Sequence, residues 1–137
     1  VGIRSFSVEE ADFLKGAPKG RLKTLYASEV VAQGALKAAQ AAVKALTDDV
    51  FITVDLDVFD PSIMPATGTP EPGGLLWRDA LDILRTAASK RRVVGFDVVE
   101  LCPMPGNIAP DFMAAKLVYK IMGYINARID RQGKGHA

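Results

Sequence analysis

The chain has 137 residues, 49% of them hydrophobic and 24% charged, with a formal net charge of +1. Its length suits one domain, and its composition is that of an ordinary globular protein with a real core. A charge so close to zero leaves no footprint for nucleic acid or an anionic membrane, and no apolar run approaches the ~20 residues of a membrane span. The single cysteine, Cys102, excludes an internal disulfide framework and points to a reducing compartment, the cytoplasm. Because the chain opens on Val1, inside what reads as a strand, further sequence is expected upstream.

In chain order, Val1 to Phe6 reads as a short strand, and Ser7 followed by Glu9 and Glu10 as a capped helix start. Lys15 to Lys19 is a loop by its Gly and Pro, and Leu22 to Tyr26 a second weak strand. From Ser28 to Leu46 the apolar positions recur every three or four residues in an alanine-rich background, which predicts one helix. Val50 to Asp55 and Val93 to Val99 are continuous apolar runs, the mark of strands buried on both faces. Helices are predicted from Leu76 to Ser89 and from Asp111 to Arg131, with fraying from Gly133 onward. The short basic clusters, Lys90 to Arg92 and Arg128 to Lys134, mark a helix end and a solvated tail. Strands alternating with helices predict an α/β fold with a parallel sheet.

The stretch from Phe51 to Gly74 organises the rest. On a strand, Asp55 and Asp57 share a face, so two carboxylates reach the strand's C-terminal end together. A Pro/Gly/Thr-rich loop follows, and this end of an open α/β sheet is where ligands bind. Paired carboxylates call for a cation: manganese or magnesium first, zinc or calcium after them. The spacing also admits a plainer reading, with one aspartate capping the next element and the other paired with Arg or Lys. An EF-hand is excluded, since loop positions six and twelve would be Asp60 and Ala66. A magnesium-dependent phosphoryl-transfer domain would also use a DxD, but no Walker-type glycine loop precedes a helix.

The segments Asp55-Leu56-Asp57-Val58-Phe59-Asp60-Pro61 and Pro65-Ala66-Thr67-Gly68-Thr69-Pro70-Glu71-Pro72-Gly73-Gly74 closely resemble a metal-ligand signature of the ureohydrolase superfamily, the arginases, agmatinases and their relatives. Gly95 to Pro103 resembles the segment carrying that family's substrate-binding glutamate, and Gly2-Ile3-Arg4 its mid-domain "GIR" strand. The resemblance implies a three-layer α/β/α domain with a mostly parallel sheet, residues 1–137 being its C-terminal part and the sheet incomplete. It further implies hydrolysis of a guanidino compound to urea with a binuclear Mn2+ site. Asp55 would be shared by both ions and Asp57 would bind one. Glu100 would hold the substrate guanidinium, with Thr69 supporting it or simply satisfying its own loop backbone. Asp60 is expected to accept from loop amides, Asp97 to be a buried hydrogen-bonding residue holding the loops together, Gly73 and Gly74 to supply unusual backbone angles, and Trp77 to lie in the core.

Arginases place an aspartate for the substrate's α-amine just after the GIR strand, where this chain has Ser5-Phe6-Ser7. With the agmatinase-like Glu71, this favours agmatine, hydrolysed to putrescine and urea, or a related guanidino compound such as guanidinobutyrate, over arginine; an arginase remains the alternative. The family's histidine-bearing motifs are absent, and His136, one residue from the C-terminus, cannot replace them. The chain alone is therefore expected to be inactive, its partner being the missing N-terminal half of the domain. A non-catalytic truncated relative is the rival. Open sheet edges, and the family's trimers and hexamers, lead us to expect a homo-oligomer.

Overall fold

The computed structural model describes residues 1–133, the side chains of residues 130–133 excepted. Five α-helices and two strands follow one another: α1 (Val8–Gly16), α2 (Ala27–Gln33), α3 (Ala35–Lys44), β1 (Asp49–Asp55), α4 (Trp77–Lys90), β2 (Arg92–Val99) and α5 (Ala109–Gly133). The strands pair in parallel, with Asp49 opposite Arg92 and Asp55 opposite Val99. The α4 helix makes the crossover that a parallel pair requires. Helices around an incomplete parallel sheet are the α/β class expected from the sequence. No helix of the described residues is long and apolar enough to cross a membrane.

The register slips once, between Val50 and Phe51, so that Phe51 lies opposite Gly95. A side chain at Gly95 would press on the Phe51 ring, at 2.8 Å from Cε2. Arg92 grips Asp49 through both guanidinium arms, Nε to Oδ1 at 2.6 Å and Nη2 to Oδ2, and so joins the N-terminal ends of the strands. Both side chains are well exposed, which keeps the pair's contribution small.

The main core gathers Val54, Leu56, Phe59, Met64, Leu81, Leu84, Leu117 and Ile121 between the sheet, α4 and α5. Trp77 packs against it and stacks on Phe59 at 6.1 Å between ring centroids, the core role expected of it. A second cluster, Leu25, Ala27, Val30, Ala35, Ala38 and Leu75, lies under α2 and α3. The expected burial of both strand faces does not hold. Ile52 and Val54 face the core, whereas Phe51, Thr53 and Asp55, the alternate positions of β1, are exposed. No element among the described residues covers that face.

Three further expectations are corrected. Val1 to Phe6 and Leu22 to Tyr26 form no strands, only one parallel bridge between Ile3 and Tyr26. The single helix predicted over residues 28–46 is two, because Gly34 sits at φ 87° and ψ 141°, a conformation close to glycine-only territory, and the helix breaks there. The α5 helix starts at Ala109 rather than Asp111. The capped start at Ser7 is present in full, with Ser7 and Glu10 bonding each other's backbone amides. His136 and the tail expected to fray lie outside the described residues.

Candidate functional site

β1 stops at Asp55, and the next three residues, Leu56–Val58, turn as a single 3-10 helix. Asp55 caps that turn, its Oδ1 accepting from the Asp57 amide at 2.8 Å. Asp55 and Asp57 therefore do not share a face by strand alternation. The turn brings them together instead: both line one open cleft of about 550 Å³, along with Arg4, Ser5, Ser7, Glu10, Thr69 and Glu71.

The two carboxylates differ in what holds them. Asp57 Oδ2 accepts from the Thr69 hydroxyl, while its Oδ1 is buried and has no hydrogen-bond partner among the described residues. Thr69 thus braces Asp57, not Glu100 as the resemblance implied. Neither aspartate forms an ion pair with Arg or Lys among the described residues, although Asp55 does cap the next element. The plainer reading of the DxD spacing is therefore half fulfilled, and the unpaired oxygen of Asp57 is left over. A buried, unpaired carboxylate oxygen is costly, and a hard divalent cation is one partner that would relieve it. The residues present fit one such ion. Although Glu10 and Glu71 line the same cleft, no three His, Cys, Asp or Glu side chains of the described residues converge closely enough to hold a metal ion together, so a two-ion site requires donors from outside them.

The loop behind these carboxylates is held from below. Asp60 Oδ1 accepts from the Ser62 amide at 3.0 Å, and Oδ2 from the amides of Gly73 and Gly74 at 2.9 and 3.2 Å. Bonds from Ser62 first, and the two glycine amides after it, hold the Asp60 carboxyl below the usual carboxylate range. This is the structural acceptor role expected of Asp60. Gly73 does supply an unusual angle, φ 81°. Gly74 is glycine for another reason: a side chain there would overlap the backbone of Phe59 and Asp60.

Glu100 follows directly on Val99, the partner of Asp55, so it leaves the sheet at the same C-terminal end. It is exposed, it does not line the cleft, and it is the only non-glycine residue of positive φ, 67°, among those described. Backbone in that region costs about 1–3 kcal/mol and is concentrated at functional sites. Asp97 departs from expectation. It is only half-buried, and its buried Oδ1 has no partner among the described residues, so it holds no loop together. Opposite it on β1 stands the exposed Thr53, on the uncovered face.

Residues 1–123 match the family model described as "Arginase family". The chain belongs to the arginase family. It is 39% identical over 124 residues to the N(1)-aminopropylagmatine ureohydrolase of Synechocystis sp., a stretch covering 90% of this chain and 39% of that protein. It superposes on the agmatine ureohydrolase of Thermoplasma volcanium with a TM-score of 0.80 at 32% identity, over 95% of this chain and 42% of that one. The arginase of Bacillus caldovelox gives 0.76 at 28% identity, over 90% and 40%. This arginase-family chain thus spans about two fifths of the length of the relatives it matches. Within it, sequence reasoning passed over Arg4, whose guanidinium reaches the backbone of the carboxylate-bearing turn. A lone cation in the otherwise apolar Val1-Gly2-Ile3 opening was the available signal.

Proposed function

We propose that this chain carries one carboxylate half of a ureohydrolase metal site. The complete enzyme would hydrolyse a guanidino compound, agmatine first, to an amine and urea with manganese in the reducing cytoplasm. The observation that carries this reading is the buried, unpaired Oδ1 of Asp57 beside Asp55 at the mouth of a strand-end cleft. Bound there, manganese would lower the pKa of a coordinated water so that a nucleophile exists near neutral pH. Asp55 and Asp57 would hold the ion, and Thr69 keeps the Asp57 carboxylate from turning away. Glu100 would take the guanidinium by charge-assisted hydrogen bonds, a role supported by its strained backbone at the shared strand end. Agmatine is favoured over arginine because the cleft positions just after the GIR segment are Ser5 and Ser7, which offer no carboxylate to an α-amine, and the nearby Glu10 carboxylate is taken by the Ser7 amide. The relatives named for agmatine and aminopropylagmatine point the same way. The chain is then the C-terminal part of the domain, and the histidine donors come from the part preceding it.

The test has two arms. Manganese should raise the melting temperature of the chain, and the Asp55→Ala/Asp57→Ala double variant should lose that rise. The chain alone should release no urea from agmatine, whereas a polypeptide extended upstream through the histidine motifs should release it. Equal manganese response in parent and double variant would remove the site; faster turnover of arginine than agmatine by the extended polypeptide would change the substrate.

A further inference from the structure

We propose that Arg4 is a positioning residue for the proposed ion: it fixes the turn from which Asp57 reaches the cleft. Its Nη2 donates to the Asp57 carbonyl, and its Nη1 to the Val58 carbonyl at 3.1 Å and the Gly2 carbonyl at 3.4 Å. One planar guanidinium therefore grips two successive carbonyls of the 3-10 turn, a fork that an ammonium cannot reproduce. The anchor is itself anchored. Gly2 donates to the Leu25 carbonyl at 2.7 Å, and Ala27 to the Ile3 carbonyl at 3.0 Å, so the opening segment is tied to the second core cluster. Gly2 also lies so close to Val58 that a side-chain carbon there would sit 2.5 Å from Val58 Cγ2. Arg4 is half-buried, its Nε is enclosed without a partner, and no carboxylate of the described residues pairs with it. Its charge is spent on peptide oxygens of the turn. Asp57 then has three restraints: its amide on Asp55, its carboxylate on Thr69 and its carbonyl on Arg4. Partners of this outer kind orient metal ligands, and losing one typically weakens metal binding about 10–100-fold.

This inference rests on the Asp55/Asp57 reading above, and the experiment separates the two. Mn2+ is titrated into the full 137-residue chain and free ion is followed by electron paramagnetic resonance. The parent is compared with Arg4→Met, Arg4→Lys, Asp55→Ala/Asp57→Ala, and Val43→Ala, a buried position remote from the turn. Arg4→Met should bind at least about 10-fold more weakly, with Arg4→Lys between it and the parent. Val43→Ala should bind like the parent although it melts lower. Without metal, amide exchange at Phe59 and Leu75, which bond to the Leu56 and Val58 carbonyls, should quicken in Arg4→Met. If Arg4→Met binds like the parent while the double aspartate variant does not, the role of Arg4 is overturned and the site stands. If parent and double aspartate variant titrate alike, the site falls and the role falls with it. Weakening by Val43→Ala equal to that by Arg4→Met would reduce Arg4 to general stability and overturn the role. Should Arg4→Met fail to fold, Arg4→Lys decides: weaker binding at unchanged melting temperature supports the role, and equal binding overturns it.

Discussion

Three carboxylates within six residues have three different employments, decided by what each oxygen can reach. Asp60 is consumed by backbone, with the amides of Ser62, Gly73 and Gly74 all pointing at it. Asp55 spends one oxygen on a cap, and Asp57 keeps one oxygen enclosed and unspent. Only the last arrangement asks for something the described residues do not supply. The depressed titration of Asp60 has a consequence for pH. Because the folded state favours its ionised form, the stability it contributes is full above its unfolded value, about 3.9, and is lost as pH falls through the lower folded value. The melting temperature of the parent should therefore exceed that of Asp60→Asn by a constant margin above about pH 4 and by a shrinking one below it. A margin independent of pH down to the acid limit would show that the carboxylate charge is not what secures the Gly73–Gly74 loop.

At the level of elements, the break between α2 and α3 rests on one backbone conformation. Nothing lies within 4 Å of where a Gly34 side chain would point, so crowding does not require glycine there; the dihedral angles do. Gly34→Ala should cost about 1–3 kcal/mol, read as a lower melting temperature. A variant that melts no lower, with higher helix content by circular dichroism, would mean that the two segments prefer to fuse. That preference is what the periodicity of residues 28–46 suggested, and it explains why the break was not legible: the apolar pattern is continuous across Gly34, and propensity is a weak signal against one special angle. Elements with strong local signals were legible to within a residue or two, such as the Ser7–Glu10 capping box and the apolar runs of β1 and β2. Alternation failed at Asp57 because the strand had already ended, two residues earlier than the DxD pattern implied. Arg4 stood out as a lone cation in the GIR segment, but its grip on the turn was not legible, for a related reason. Its partners are carbonyls more than fifty residues away, and carbonyls leave no trace in the side-chain sequence.

At the scale of the whole molecule, several large apolar side chains stand open to solvent. The α1 helix buries none of its residues, and Phe13 upon it is 70% exposed. Phe51 on the open face of β1 is 60% exposed, and Phe112 on α5 is 70% exposed. The two-stranded sheet also presents an unpaired edge on each side among the described residues. Exposed apolar patches and open edges are association surfaces, whether the occupant is the rest of the domain or another copy. In the chain by itself only another copy is available, so its weight-average mass in sedimentation should rise with concentration over a range of about a hundredfold. Replacing the three aromatic residues together, as Phe13→Ser/Phe51→Lys/Phe112→Ser, should shift that rise to much higher concentration. The melting temperature should change little, because none of the three belongs to either core cluster and surface changes cost about 0.5 kcal/mol or less each. The extended polypeptide discriminates between the occupants. If upstream sequence covers β1 and α1, the Phe13 and Phe51 substitutions should destabilise that longer protein by about 3 kcal/mol or more each, the cost of losing a buried aromatic. Equal, small effects in both proteins would mean that these faces stay open in the longer protein and that copies of the chain meet there instead.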